Sequence, residues 1–178
     1  MQSIITGSKV ILREKKLSDV YSDYAWEVDP ELAELDAAPL ETVTFPQYLL
    51  EYVHKLRNSS PSSRQLAVDT LDGKHIGNCS YYNISNINDE VELGIMIGDR
   101  DYWDKGCGTD AVTALVNYIF RHTRFKRIHL KTLESNSRAQ RCFQKCGLIP
   151  CGHLAKDGFS FILMEIRCEQ WQEQGAKT

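Results

Sequence analysis

Two short stretches of this 178-residue sequence carry residue types that could do chemistry. In DYWDKGCGTDAV, residues 101–112, Gly106 and Gly108 stand one residue apart ahead of an apolar helical stripe, with Lys105 beside them. A helix start offers free backbone N–H groups and the positive end of the helix dipole, and glycine lets a ligand approach them closely. That combination suits a phosphate, although the same residues also suit a plain turn into a helix. In VELGIMIG, residues 91–98, strand alternation places Glu92, Gly94 and Met96 on one face and Val91, Leu93, Ile95 and Ile97 on the other. A carboxylate on an apolar strand is partly desolvated, which raises its pKa toward values useful in proton transfer. Gly94 beside it leaves room for a ligand. The other role open to Glu92 is a solvent-facing or ion-paired strand residue, and Glu90 is the second choice for acid–base work.

Two phosphate motifs can be tested directly. GxxxxGK[ST] is absent, because His75 follows Gly73-Lys74 and Val68 stands where the first glycine belongs. G-x-G-x-x-A matches Gly106, Gly108 and Ala111. Its context fails: DRDYWDK separates the glycines from the strand, and the preceding strands are linked like hairpins rather than as βαβ units.

The elements that must hold these residues follow from periodicity. KVILRE (9–14) reads as a strand, and LSDVYSDYAWEV as a helix with Ser18 as its N-cap. Residues 31–45 are ambiguous, and 45–57 form an amphipathic helix with Pro46 in its first turn. RQLAVDT, HIGNCSYY and VELGIMIG are three consecutive strands with short links, hence antiparallel. A helix from Thr109, the strand KRIHLKTL, a short helix 137–147 ending at Gly147, and a strand pair joined at Asp157-Gly158 complete the order. The tail 168–178 is polar and expected to fray. The expectation is a single α/β (α+β) domain over 1–178, core about 9–166: a mixed, mostly antiparallel central sheet with helices on both faces.

A net charge of −3 argues against nucleic acid as a partner, and no apolar run reaches the roughly 20 residues that cross a bilayer. The charged N-terminal stretch lacks a signal-peptide block, so a cytoplasmic protein is expected. The six cysteines then read as reduced thiols. Cys142 and Cys146, at i and i+4, could offer two metal ligands, but nothing completes a site, and no metal is expected.

In element order and motif spacing, residues 91–148 resemble the core of the GNAT superfamily, the acetyl-CoA-dependent N-acetyltransferases. The pieces are VELGIMIG, YWDKGCGTDA, RIHLKTL and NSRAQRCFQKCGL; the front half, VILREKKLSDVYSDYAW, is similar to the ribosomal-protein and polyamine acetyltransferase branch. The resemblance covers roughly residues 9–166. It implies acetyl-CoA as co-substrate, an amine acceptor (a small molecule or a protein or peptide amine), and allows a homodimer. It implies that a [Q/R]-x-x-G-x-[G/A] loop, here Trp103, Lys105, Gly106, Cys107, Gly108 and Thr109, holds the CoA pyrophosphate. Trp103 departs from the usual first position. It further implies that Glu92 deprotonates the amine, directly or through water, and that the backbone of Ile95, Met96 and Ile97 pairs with pantetheine.

Asn136 matches the family's asparagine before the last helix, where it bonds pantetheine or caps the helix. Phe143 stands where many relatives carry a tyrosine thought to protonate the leaving thiolate; Ser137 or water could substitute, whereas Cys142 is turned away. Arg138 and Arg141 could reach phosphate or form a solvated face. Tyr24, Trp26, Asp36, Tyr81, Tyr82 and His153 are the acceptor-pocket candidates. A non-catalytic acyl-CoA-binding module of the same fold is the alternative function.

Overall fold

Alternation along one strand sorts the molecule into two faces. In the computed structural model, which describes residues 4–40, 42–58 and 60–175, strand β2 (Val10–Glu14) follows a two-residue strand β1 (Ile5–Thr6) that the sequence did not reveal. Val10 and Leu12 are fully buried in the main core, while Arg13, next along the strand, points to the opposite face. There its guanidinium forks onto both oxygens of Asp19 at 2.8 Å and bonds Asp69 at 2.5 Å.

Helices α1 (Val20–Glu27), α2 (Pro30–Leu35) and α3 (Phe45–Arg57) follow β2 on that second face. Ser18 is not an N-cap. It lies inside a 3-10 turn, Leu17–Asp19, closed by Asp19 accepting from the Lys16 N–H at 2.7 Å. The ambiguous stretch resolves because Asp29 accepts from Glu31 and Leu32 N–H and Pro30 presets the first turn of α2. A buried polar cluster ties these helices to the sheet. Asp23 accepts from Tyr52 at 2.8 Å and Asn78 at 2.9 Å, and also meets Lys15 and His75.

Strands β3 (Arg64–Thr70), β4 (His75–Ser85) and β5 (Glu90–Ile97) form the antiparallel run read from the sequence. Helix α4 (Cys107–His122), strand β6 (Arg127–Leu133), helix α5 (Ser137–Lys145) and the hairpin β7 (Ile149–Lys156) and β8 (Phe159–Arg167) follow. The sheet order is β1-β2-β3-β4-β5-β6-β8-β7, and β5–β6 is the parallel pair in an otherwise antiparallel sheet. Helix α4 buries Ala111, Leu115 and Ile119 in the main core with Val10 and Leu12. Gly147 ends α5 at φ +88°, a conformation that disfavours a side chain.

The C-terminal stretch is not frayed over its described part. Residues Cys168–Gly175 form helix α6, anchored by Trp171, which packs on Phe120 and donates to Asn117 at 2.7 Å; residues 176–178 of that tail lie outside the described residues.

Candidate active site

Strand β5 is bordered by β4 along its length but by β6 only at one end. Pairing with β4 runs to Ile97, whereas pairing with β6 stops at Glu92–His129. Beyond that point one edge of β5 is open. Which groups face it follows from alternation. Gly98 N–H bonds the Ile76 carbonyl of β4 at 3.0 Å, so Gly98, Met96 and Gly94 direct their peptide groups to β4. Ile97 and Ile95 direct theirs to the open edge. The Ile97 carbonyl there is taken by the Trp103 indole N–H at 2.6 Å. The sequence expectation for Ile95, Met96 and Ile97 is therefore corrected. Met96 has its backbone in the β4 ladder, Ile97 keeps only its N–H, and Ile95 keeps both groups.

A cavity of about 220 Å³ runs from this edge to the start of α4, lined by Ile95, Met96, Ile97, Trp103, Gly106, Gly108 and Thr109 among others. Gly106 is the N-cap at φ +81°, which explains its glycine. Gly108 has no such reason. It sits in the first helical turn, and a Cβ there would meet only Cys142 Sγ and Ile97 Cγ1 at an ordinary 3.7 Å. A helical glycine costs about 1 kcal/mol against alanine, and the fold does not require it. The N–H groups of Gly108 and Thr109 have no acceptor among the described residues, so the turn is an open anion cradle.

The cations around this cradle come from α5 rather than from the loop. Arg138, Arg141 and Lys145 line the cavity, and the Arg138 guanidinium stacks 3.6 Å from the Trp103 ring centroid. Their spacing of three and four residues puts them on one helix face, and of the two roles the sequence left open for Arg138 and Arg141 the structure places them on the cavity wall, with Lys145 beside them. Lys105 does not line the cavity; its ammonium lies over the Tyr102 ring and its carbonyl accepts from Lys9. The Cys107 side chain is buried in the core. The chain turns at Gly106 and carries both side chains away from the cavity, so the cation expected from Lys105 is not at the cradle, and Cys107 could serve only through its backbone.

Asn136 is the helix cap and also faces the cavity. Its Oδ1 caps α5 by accepting from Ala139 N–H at 3.1 Å, and the residue lines the cavity. Phe143 is 6% exposed yet forms part of the wall. Ser137 is not in the wall; its hydroxyl accepts from Arg141. Cys142 does line the cavity, contrary to expectation, and the Thr109 hydroxyl donates to its sulfur at 3.5 Å. Hydrogen bonds from Cys146 and Thr109 pull the Cys142 thiol below its ordinary pKa against the effect of burial.

Two further cavities, of about 340 and 330 Å³, open on the other side of the β5 edge. Asp36 and Ile95 line all three. Asp36 is open to this space yet ringed by protein, and the desolvation raises its carboxyl pKa while the Lys131 charge opposes the rise. Glu92 lies behind this junction and lines none of the three cavities. Its carboxylate accepts from Asn83 at 2.7 Å and from the Tyr82 hydroxyl at 3.1 Å, with Lys131 3.8 Å away. Tyr82 itself lines the second and third cavities. Of the other acceptor candidates, Tyr24, Trp26, Tyr81 and His153 line none of the three. Tyr24 packs on Phe45 and Tyr48, Trp26 on His75, and Tyr81 in the core.

A sheet opened between two strands, free helix-start N–H groups at one end of the slot and side chambers at the other are the features the comparisons with known proteins must account for. A family model described as an Acetyltransferase (GNAT) domain matches residues 9–149. The chain belongs to the GNAT family, and it is an acyltransferase with acetyl-CoA as co-substrate.

The chain is 25% identical over 175 residues to the "Uncharacterized N-acetyltransferase p20" of Bacillus licheniformis, covering 93% of this chain and 97% of that protein. It is 31% identical over 85 residues to the spermine/spermidine N(1)-acetyltransferase of Bacillus subtilis, 48% of this chain and 56% of that one. In fold it is similar to the spermidine N-acetyltransferase from Vibrio cholerae in complex with CoA and spermine, with TM-score 0.82 at 18% identity over 93% of this chain and 99% of that one. The aminoglycoside acetyltransferase AAC(6')-Ib in complex with coenzyme A gives TM-score 0.77 at 20% identity, with coverage of 93% and 99%. No helix among the described residues is long and apolar enough to cross a membrane.

Proposed function

We propose that the chain, as one domain, transfers an acetyl group to a primary amine by direct attack in a ternary complex. The observation that carries this reading is the open edge of β5 at Ile95, where the phosphate-cradle cavity meets two acceptor-side cavities. Gly108 and Thr109 N–H groups, with Arg138, Arg141 and Lys145, would hold pyrophosphate. Ile95, Asn136 and Phe143 would line the pantetheine arm, Ile95 pairing with it as a strand does. When bound, the co-substrate supplies the acetyl thioester.

Direct transfer needs an unprotonated amine, a stabilised oxyanion and a leaving thiolate, and no covalent enzyme intermediate. The carboxylate read from the sequence, Glu92, reaches the junction only through the Tyr82 hydroxyl, so its proposed part is to fix that hydroxyl there. The second cavity carries Glu27, Asp36 and Glu51 in its wall beside Lys15 and Lys55, which favours a cationic small-molecule amine over a neutral acceptor. The spermine of the Vibrio cholerae neighbour and the substrate named for the Bacillus subtilis relative support the same class.

Phe143 favours a second reading, a non-catalytic acyl-CoA-binding module that lacks the aromatic acid. Incubation with acetyl-CoA and a panel of amines, followed by free thiol release, separates the two. Release that depends on the amine supports transfer, whereas CoA binding without release supports the module.

A further inference from the structure

We propose that Asp36, at the C-terminal end of α2, is the group that takes the ammonium proton of the acceptor. This rests on the transferase reading above and assigns a residue that the family resemblance did not. Three observations converge on it. Among the described residues, Asp36 is the one titratable residue lining all three cavities, and its companion there is Ile95, the residue whose backbone is open for the arm that carries the reacting thioester. Its carboxylate has no hydrogen-bond donor or ion-pair partner among the described residues, whereas Glu92 already has Asn83, Tyr82 and Lys131. Finally, although the side chain is exposed to the cavity, the surrounding protein desolvates the carboxyl enough to raise its pKa, and the Lys131 charge opposes that rise. A carboxylate that the fold leaves unpaired at a cavity junction, at a cost to itself, is placed for a partner that is not part of the chain.

The proton balance fits. A primary ammonium carries three protons and the product amide keeps one. One proton passes to Asp36 and then to solvent, freeing the nitrogen lone pair to form the C–N bond. The other goes to the departing thiolate as the C–S bond breaks. The second transfer can run from the reacting nitrogen itself, so a wall residue without a proton at Phe143 is compatible with the route.

The charged and titratable groups around Asp36 come from several elements. Lys131 of β6 acts on it directly, and Tyr82 of β4, Glu27 of α1, Glu51 of α3, Arg138 of α5 and Lys156 of β7 share its cavities. Lys131 favours the charged form and desolvation disfavours it, so the profile of the wild type must be compared with that of the variant rather than with a free carboxylate.

The test is thiol release from acetyl-CoA by the full chain, with spermine and kanamycin as probe acceptors, for wild type, Asp36→Asn and Glu92→Gln. Melting temperature and CoA affinity are measured on each. For Asp36→Asn, kcat should fall on the order of 10²-fold near neutral pH, with a deficit that shrinks as rising pH supplies free amine. CoA affinity should hold, and the melting temperature should hold or rise, because an unpaired desolvated charge is removed. Glu92→Gln should lose less turnover than Asp36→Asn.

A loss confined to KM would make Asp36 an acceptor anchor and overturn the assignment. So would a lower melting temperature, or a Glu92→Gln deficit larger than that of Asp36→Asn. An active wild type with an equally active Asp36→Asn removes Asp36 alone. A wild type that binds CoA and releases no thiol with either amine removes the transferase reading and Asp36 with it.

Discussion

The Trp103 indole N–H donates to the Ile97 carbonyl at 2.6 Å, tying the loop before α4 to the last residue of the open β5 edge. The same ring carries the Arg138 guanidinium 3.6 Å from its centroid. One side chain thus sets the width of the slot and positions a cation at its mouth. Trp103→Leu removes both contacts. Losing these two intramolecular contacts loosens the preorganised loop and frees the Arg138 cation, so CoA affinity should fall on the order of tenfold. Calorimetry checks this; unchanged affinity would show that the lock is incidental to binding.

Gly108→Val tests the cradle. A Cβ at this position has only ordinary 3.7 Å contacts within the protein, so the fold should survive. The branched side chain would fill the approach to the Gly108 and Thr109 N–H groups. CoA affinity should drop on the order of 10-fold or more with little change in melting temperature. Full affinity in a folded variant would place the pyrophosphate elsewhere.

Cys142 gives a chemical report on the same cavity. Its thiol ionises more readily than an ordinary cysteine and lines the slot. Iodoacetamide should label Cys142 in the free protein, and saturating CoA should slow that labelling by on the order of 10-fold, since the thiolate is the nucleophile and must be reached. Peptide mapping by mass spectrometry reads the result. Equal labelling with and without CoA would separate Cys142 from the bound ligand.

Phe143→Tyr asks what a phenol adds. Because the ring forms part of the wall between the first and third cavities, an added hydroxyl can meet open space rather than apolar core. Turnover should rise about threefold or more, within the range for a placed general acid, at unchanged melting temperature. Unchanged turnover with a lower melting temperature would mean a buried, unsatisfied hydroxyl and a packing role only.

The polar cluster on the helix face predicts acid sensitivity. Burial alone would raise the Asp23 carboxyl, but hydrogen bonds from His75, Lys15 and Asn78 with the Lys15 charge outweigh it and hold its pKa well below the usual carboxylate range. A depressed acid stabilises the fold fully above its unfolded pKa of about 4 and loses that contribution as pH falls below it. Denaturant unfolding should therefore show a stability plateau above about pH 5 and a decline below pH 4, and Asp23→Asn should cost about 3 kcal/mol at pH 7. A variant as stable as wild type at pH 7 would show the cluster to be neutral.

Much of the architecture was legible because it is written in short-range periodicity. The three antiparallel strands, the glycine-started α4 and the Gly147 stop each depend on a few adjacent residues. The site was less legible because it depends on where elements diverge. Nothing in VELGIMIG shows that β6 leaves β5 after Glu92, so the sequence could not tell that Ile95 faces an open edge while Met96 is committed to β4. Glu92 was found as a buried strand carboxylate but not as one already held by Tyr82 and Asn83, since those partners come from another strand. Asp36 was only one of several acceptor candidates because α2 is too short to show a period. The cations Arg138, Arg141 and Lys145 had the right spacing, yet a charged helix face looks the same whether it meets water or phosphate.

The central claim is that the open edge of β5 carries the pantetheine arm, with the thioester delivered beside Asp36. A crystal structure of the chain with CoA tests it most directly. The account predicts pyrophosphate on the Gly108 and Thr109 N–H groups, a pantetheine amide on the Ile95 backbone, the Trp103–Ile97 bond intact, and the sulfur at the junction lined by Asp36 and Phe143. CoA bound without contact to Ile95, or with its sulfur directed away from that junction, would contradict it.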